Sequence, residues 1–430
     1  MKQTYKLSRY NVFHEIDDIQ YIWNTYSGAL LELDNEAQEY VKQFSGSDDG
    51  SIEFDTLKTN GFIVHEKIDE FGRVCFQERR ALFSRYSDEM RFVFTLGMGC
   101  NYSCYYCFEN KNKTTMQMTP EVAERTADYV VQQLKGNPMV TTIKFSWFGG
   151  EPLLYMPIIE IISCKLQAYI QQSKTQYNIE SMLFTNGRFL DEATLIKLKE
   201  FGINKLQITL EGMQEVYCKH KGAQPEEFDC VIKNICNAAE KIELSIRLNA
   251  PNSKEAIAIS EYLLGHHNLS RKTRFNYAFV RDYTMSPDAA KQSFIEYIDN
   301  QIQWMDYMYK HYKDVPRGAD IPQRMNSSCG QIVSNNVVIG PQGEFYRCNI
   351  SLGDDSMVTG DIWNGRYYND KELMHYSTVD MYSDCSQCAY LPVCMGGCVM
   401  HRIDKYGGFD CDVYKPWRFR QKLMEGGVLS

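Results

Sequence analysis

Between about residue 87 and residue 312 the chain alternates short apolar runs with longer stretches of helical periodicity. The apolar runs fall at 91–96, 142–147, 179–184, 205–209, 243–248 and 273–279. Their length and their β-branched and aromatic content predict strands. Helical patterns lie between them, near 120–134, 156–173, 191–200, 228–240 and 254–265, and a longer one follows at about 287–312. Six strand–helix units in succession predict an α/β fold, with parallel strands joined by helical crossovers. Such sheets place their functional residues just beyond the carboxyl ends of the strands.

The flanking regions read differently. Residues 1–86 predict a small α/β unit, with short strands at 7–13, 20–24 and 29–33. Asp34 or Asn35 is placed to cap a helix running to residue 44, and the Gly- and Asp-rich loop 45–50 breaks it. A second helix at 54–59 ends at Gly61, and a third spans 70–84. Beyond about residue 313 the periodicity fades while Gly, Asn, Asp and Cys rise, which divides the chain into 1–86, 87–312 and 313–430. A C-terminal region with so little regular apolar pattern is expected to depend on bound metal for its stability.

Composition narrows the function. The net charge is −9, which argues against a general binder of nucleic acid or of membrane surfaces. No apolar run near bilayer-spanning length stands out, and residues 1–6 lack a secretory core, so the expected compartment is the cytoplasm. Fifteen cysteines are many for such a chain, and they are unevenly placed: three at 100–107 and seven between 329 and 411. In a reducing compartment that pattern favours metal or cluster ligation over disulfides. Cys75, Cys164, Cys218, Cys230 and Cys236 follow no ligand spacing and are expected to be small core residues.

Cys100, Cys104 and Cys107 follow the first strand of the alternating region as C-x3-C-x2-C. Closed zinc sites and closed clusters take four ligands. Three thiolates in one loop can hold three irons of a [4Fe–4S] cube and leave the fourth open to a small molecule. Gly149-Gly150-Glu151-Pro152 follows the second strand, Thr185-Asn186-Gly187 the third, and Thr209-Leu210-Glu211-Gly212 the fourth. In this order the motifs resemble those of the radical SAM enzymes. That resemblance implies a partial (β/α)6 barrel and S-adenosyl-L-methionine chelated at the open iron, where reductive cleavage yields a 5′-deoxyadenosyl radical. It implies that Gly149, Gly150 and Glu151 receive the methionine ammonium and that Thr185, Asn186 and Thr209 contact the cofactor. Arg247 and Asn249, on the fifth strand, are placed to reach its ribose or carboxylate. Two positions depart from the pattern. Glu211 stands for the usual aspartate, and the stretch ending in Lys221 lacks the arginine that relatives carry.

The C-terminal cysteines run Cys329, thirteen residues, Gly343, four residues, Cys348, then Cys385-x2-Cys388-x5-Cys394-x3-Cys398, and finally Cys411. This resembles the SPASM extension, which binds two auxiliary [4Fe–4S] clusters, for three clusters in all. The resemblance assigns Cys385, Cys388, Cys394 and Cys411 to the outer cluster, and Cys329, Cys348 and Cys398 to the inner one. Seven thiolates cannot close two cubes, so one iron of the inner cluster is expected to be open or held by a group other than cysteine. An open iron could bind a substrate thiolate; it could also take water or another protein ligand.

Residues 1–86 look like the winged-helix-like domain with which related enzymes recognise the leader of a precursor peptide, by adding a strand to a sheet edge. The expectation is a peptide maturase that joins a cysteine sulfur to a peptide carbon, with an electron donor such as flavodoxin or ferredoxin. Carbon–carbon crosslinking, epimerisation and sulfatase maturation are the alternatives within the resemblance. A non-catalytic iron–sulfur electron carrier is the alternative outside it. Asn349, where sulfatase maturases tend to place an aspartate, favours peptide maturation. No acid or base is assigned; Tyr277 and Asp361 are candidates by type alone.

Overall fold

The computed structural model describes residues 4–16, 18–83, 87–107, 109, 115–280, 287–316, 322–370, 373 and 383–399. Cys411 lies outside the described residues. The chain forms two compact units, one of Met1–Ser84, Ala319–Val333 and Tyr376–Ser430, the other of Arg85–Gly318 and Ser334–His375. The stretch after residue 313 contributes to both units.

The first unit begins with β1 (Tyr5–Leu7), β2 (Asn11–Ile16), β3 (Ile19–Asn24) and β4 (Leu30–Leu33). Then come α1 (Asn35–Gln43), α2 (Ile52–Thr59), β5 (Ile63–His65) and α3 (Glu70–Phe83). Strands β2-β3-β4 form an antiparallel sheet, and β1 pairs with β5. The single strand expected at 7–13 is broken in two. Ser8 Oγ donates to Glu70 at 2.5 Å, and the Arg9 amide donates to the same carboxylate at 3.1 Å. These bonds to the start of α3 turn the chain at the break. Asp34 caps α1, accepting from the Ala37 amide at 2.8 Å, and Ser51 caps α2, which starts two residues before the expected helix.

The cysteine-bearing segment packs onto this small sheet. Val12 and Trp23 bury with Val393, while Tyr10, Val74 and Cys75 bury with Cys385, Leu391 and Met395. Thr25 Oγ1 donates to Ala389 O at 2.5 Å, and the Met325 amide donates to Pro392 O at 2.9 Å. The segment has too few apolar residues for a core of its own and shares the N-terminal one.

The second unit contains all six expected parallel strands. They are β6 (Glu89–Thr95), β7 (Thr142–Phe148), β8 (Asn178–Thr185), β9 (Lys205–Leu210), β10 (Glu243–Leu248) and β11 (Arg274–Tyr277). They are neighbours in chain order, each pair parallel. The crossover helices are α4 (Pro120–Gly136), α5 (Met156–Gln172), α6 (Glu192–Glu200), α7 (Gln214–Lys221), α8 (Pro225–Ala239) and α9 (Ser253–Glu261), and α10 (Pro287–His311) follows β11. This is the expected α/β fold. Helix α7 is new: it buries only Tyr217 and Lys221, too little to leave a periodic signal. Beyond residue 313 the structure is more regular than expected. β12 (Asn336–Ile339) pairs parallel to β6, and β13 (Glu344–Tyr346), β14 (Gly360–Asp361) and β15 (Gly365–Arg366) extend the sheet to ten strands.

One segment, Pro152–Gln172, is long and apolar enough by length and composition to cross a bilayer, contrary to the sequence reading. It contains the crossover helix between β7 and β8. Ile158, Ile159, Ile162 and Leu166 are buried in the core of this unit.

Candidate active site

The C-x3-C-x2-C loop leaves β6 and runs across the carboxyl end of β7. The Gly150 amide donates to Gly97 O and the Glu151 amide to Gly99 O, each at 3.0 Å. This close pairing explains the glycines. A Cβ on Gly150 would lie 2.2 Å from Gly99 O, and Gly149 has φ +134° and lies as tightly against Gly97 O. Cys104 and Cys107 bracket a tight turn in which the Cys107 amide donates to Cys104 O at 3.1 Å. All three thiols are partly buried. Burial and the nearby Glu109 push Cys107 up to about 11, and burial raises Cys104 as well.

Glu151 is held in place from both neighbouring segments. Its side chain is buried, with Oε1 accepting from Thr185 Oγ1 at 2.7 Å and from the Leu153 amide at 3.0 Å. Oε2 accepts from the Asn186 amide at 2.8 Å. The carboxylate thus braces β7 against β8, and in this structure both oxygens are engaged by protein donors. Asn186 continues the brace by donating from Nδ2 to Asn101 Oδ1 at 2.8 Å, inside the cysteine loop. Thr185 and Asn186 therefore position the loop.

The two departures from the family pattern meet in one contact. Lys221 Nζ lies 3.0 Å from Glu211 Oε1, with both side chains almost fully buried. Tyr106, between Cys104 and Cys107, donates its hydroxyl to the same oxygen. Lys221 also lies over the rings of Tyr217 and Tyr102, at 5.3 and 5.7 Å. Burial would depress the Lys221 ammonium, but the adjacent Glu211 outweighs it and holds the pKa above the usual lysine range. The end of α7 grips the loop too: Lys221 O accepts from the Ser103 amide at 3.1 Å, and His220 O from the Tyr105 amide at 3.4 Å. Sequence reasoning missed Tyr106 and the pairing. The ten-residue separation of Glu211 and Lys221 was the available signal.

Thr209 and Arg247 stand side by side in the β9–β10 register, and Arg247 Nε donates to Asn249 Oδ1 at 3.1 Å. These residues cluster with the cysteine loop at the carboxyl ends of the strands. Of the two acid–base candidates, Tyr277 donates to Ala250 O at 3.1 Å and Asp361 closes a local turn with Asn364.

Of the C-terminal cysteines, Cys329, Cys385, Cys388, Cys394 and Cys398 belong to the first unit and Cys348 to the second. Met395, Gly396 and Gly397 carry φ of +48, +75 and +82°, turning the chain sharply between Cys394 and Cys398. Among the described residues, no three Cys, His, Asp or Glu side chains converge on one point as the ligands of a single ion do.

The residues at the β6–β10 ends suit an iron–sulfur cluster and a cofactor with polar groups. The buried thiols need a cation to be stable as thiolates, which cluster iron supplies. Glu211 Oε2 is buried with no hydrogen-bond partner among the described residues. Comparisons with known proteins agree. Residues 94–250 match the Radical SAM superfamily. The chain is 25% identical over 176 residues to Fe-coproporphyrin III synthase of Methanosarcina barkeri, a match covering 40% of each chain. It spans about two fifths of the length of the curated relatives it matches. Among solved structures it resembles anSMEcpe with bound AdoMet and Cp18Cys peptide, at TM-score 0.58 and 16% identity over 79% of this chain and 97% of that one. It also resembles Streptococcus suis SuiB bound to precursor peptide SuiA, at TM-score 0.51 and 14% identity over 95% and 99%. At those identities the likeness speaks for the fold. The similarity to the Radical SAM superfamily lies in residues 94–250, which carry the cysteine loop and the motifs beyond strands β7 to β9.

Proposed function

We propose that this chain is a radical SAM peptide maturase of the cytoplasm, which forms a thioether between a cysteine sulfur and a carbon of a ribosomally made precursor peptide. The observation that carries the peptide reading is the N-terminal unit. Its sheet β2-β3-β4 ends in the edge strand β4, is followed by α1–α3, and shares a core with the cysteine segment. The fold likeness to a precursor-bound enzyme extends over nearly the whole chain, which supports the same reading. A leader strand pairing along β4 would raise the local concentration of the peptide to be modified.

When bound, S-adenosylmethionine and the loop cluster supply the radical that removes a peptide hydrogen. The chain's own residues hold the site. Cys100, Cys104 and Cys107 anchor the cluster, while Gly149 and Gly150 bring the β7 end against the loop. Glu151, Thr185 and Asn186 fix that end to β8. Arg247, Asn249 and Thr209 line the mouth where the ribose and carboxylate would lie. The seven C-terminal cysteines, Cys411 included, are proposed to hold two auxiliary clusters, with flavodoxin or ferredoxin as the external donor. The lack of an eighth cysteine favours a site open to the substrate thiol, hence a thioether.

The test is mass spectrometry of the short peptide encoded beside this gene, after anaerobic incubation with reconstituted enzyme, S-adenosylmethionine and reductant. Loss of two hydrogens with cysteines that no longer alkylate is the expected result. The same loss with free cysteines would replace the thioether by another crosslink. An unchanged mass despite 5′-deoxyadenosine formation would overturn the crosslinking assignment.

A further inference from the structure

The first unit contains a cavity of about 460 Å³. Its walls come from the start of the chain at Ser8, the β3–β4 turn, the end of α2, the first turns of α3 and the segment at Gln323 and Arg324. Several polar groups of the lining are already engaged. Glu70 accepts from Ser8 and from the Arg9 amide. The Asn24 side chain donates to Asn11 and to Gly61 O, and accepts from the Tyr26 and Ser27 amides. Ser27 Oγ donates to Asn60 O at 2.8 Å.

Two guanidiniums remain. Arg73, on α3, and Arg324 both line the cavity and are exposed, and neither is in an ion pair among the described residues. Arg324 lies over the Tyr26 ring at 4.7 Å, a contact that leaves its N–H edge able to donate. Two arginines facing one concavity, beside a carboxylate that is already bonded, select for an anion. The volume suits a peptide side chain with its backbone better than a lone ion. The turn between β3 and β4 forms one wall, so a peptide paired along β4 would have one end beside the cavity.

We propose that this cavity binds an aspartate or glutamate side chain of the precursor peptide, held by Arg73 and Arg324. The inference rests on the peptide-maturase reading and adds a specificity to it: an acidic residue at a fixed place in the recognised segment. Arg324 lies outside the N-terminal 86 residues, so recognition depends on the junction before Cys329 as well.

The test uses the full chain and a displayed library of random short peptides, selected against wild type and against R73Q/R324Q. Both arginines are exposed, so the variant keeps the fold, and a thermal melt checks this. The expected result is an Asp or Glu enriched about tenfold at one position by wild type and lost in the variant, while the other positions of the motif persist. Binding peptides without acidic enrichment, or enrichment that the variant retains, would overturn the cavity assignment and leave peptide recognition standing. An absence of any wild-type binders would overturn both. Calorimetry with inorganic phosphate and with N-acetyl-aspartate amide separates the sources. Saturable phosphate binding lost in R73Q/R324Q, without acidic enrichment among the peptides, would make this an inorganic-anion site and overturn the proposal.

Discussion

Lys221 shows how two unusual residues can be one feature. Taken singly, Glu211 is a lengthened aspartate and Lys221 a replaced arginine. Together they form a buried pair at 3.0 Å, whose carboxylate also receives the Tyr106 hydroxyl from within the cysteine loop. Removing one partner leaves an uncompensated buried charge, at a cost of about 3–5 kcal/mol. Lys221→Met is expected to lower the thermal midpoint and the iron content of the reconstituted protein. Adding Glu211→Gln to it is expected to recover part of the stability, because the orphan charge is gone. Melting and iron analysis of the two single variants and the double variant check this. A loss in the double variant equal to the sum of the two single losses would mean that the pair has no special part in holding the loop.

At the scale of elements, the end of β7 is the tightest junction near the candidate site. The Gly150 amide bonds to Gly97 O, and a Cβ added at Gly150 would lie 2.2 Å from Gly99 O. Gly150→Ala is therefore expected to push the cysteine loop away from β7, at a cost of about 1–3 kcal/mol in overpacking. The measurable outcome is a lower melting temperature with weakened S-adenosylmethionine binding by calorimetry. A variant that binds the cofactor as wild type does would show that the junction yields without harm. The same scale explains the sequence's misses. Helix α7 has almost no apolar stripe, so nothing marked it, yet its last carbonyls hold Ser103 and Tyr105. The strand expected at 7–13 is alternating and apolar enough to continue, and a buried glutamate 62 residues from Ser8 breaks it.

At the scale of the molecule, the two compact units interleave along the chain. The segment carrying Cys385, Cys388 and Cys394 is buried against β2, β3 and α3, so its stability depends on residues distant in sequence. If the C-terminal cysteines hold clusters as proposed, deleting residues 1–86 is expected to lower iron content by their share while leaving the proposed cluster of the 100–107 loop. Iron and sulfide analysis with electron paramagnetic resonance of the truncated chain checks this. Retention of all the iron would show that the cysteine segment folds alone.

The sequence by itself determined the six strands, their alternation with helices, the three-cysteine loop after the first strand and the motifs beyond the second, third and fourth. Those features are local: apolar periodicity and ligand spacing are written within a few residues, and a parallel α/β sheet follows from their alternation. The tertiary structure decided what depends on distant partners. It tied Glu151 to Thr185 and Asn186, joined Glu211 to Lys221 and Tyr106, added β12–β15 to the sheet and seated the cysteine segment on the N-terminal strands. Each is a contact between residues whose separate patterns are ordinary. Burial removed their alternatives, because a polar group taken out of water must find its partner wherever the fold brings one.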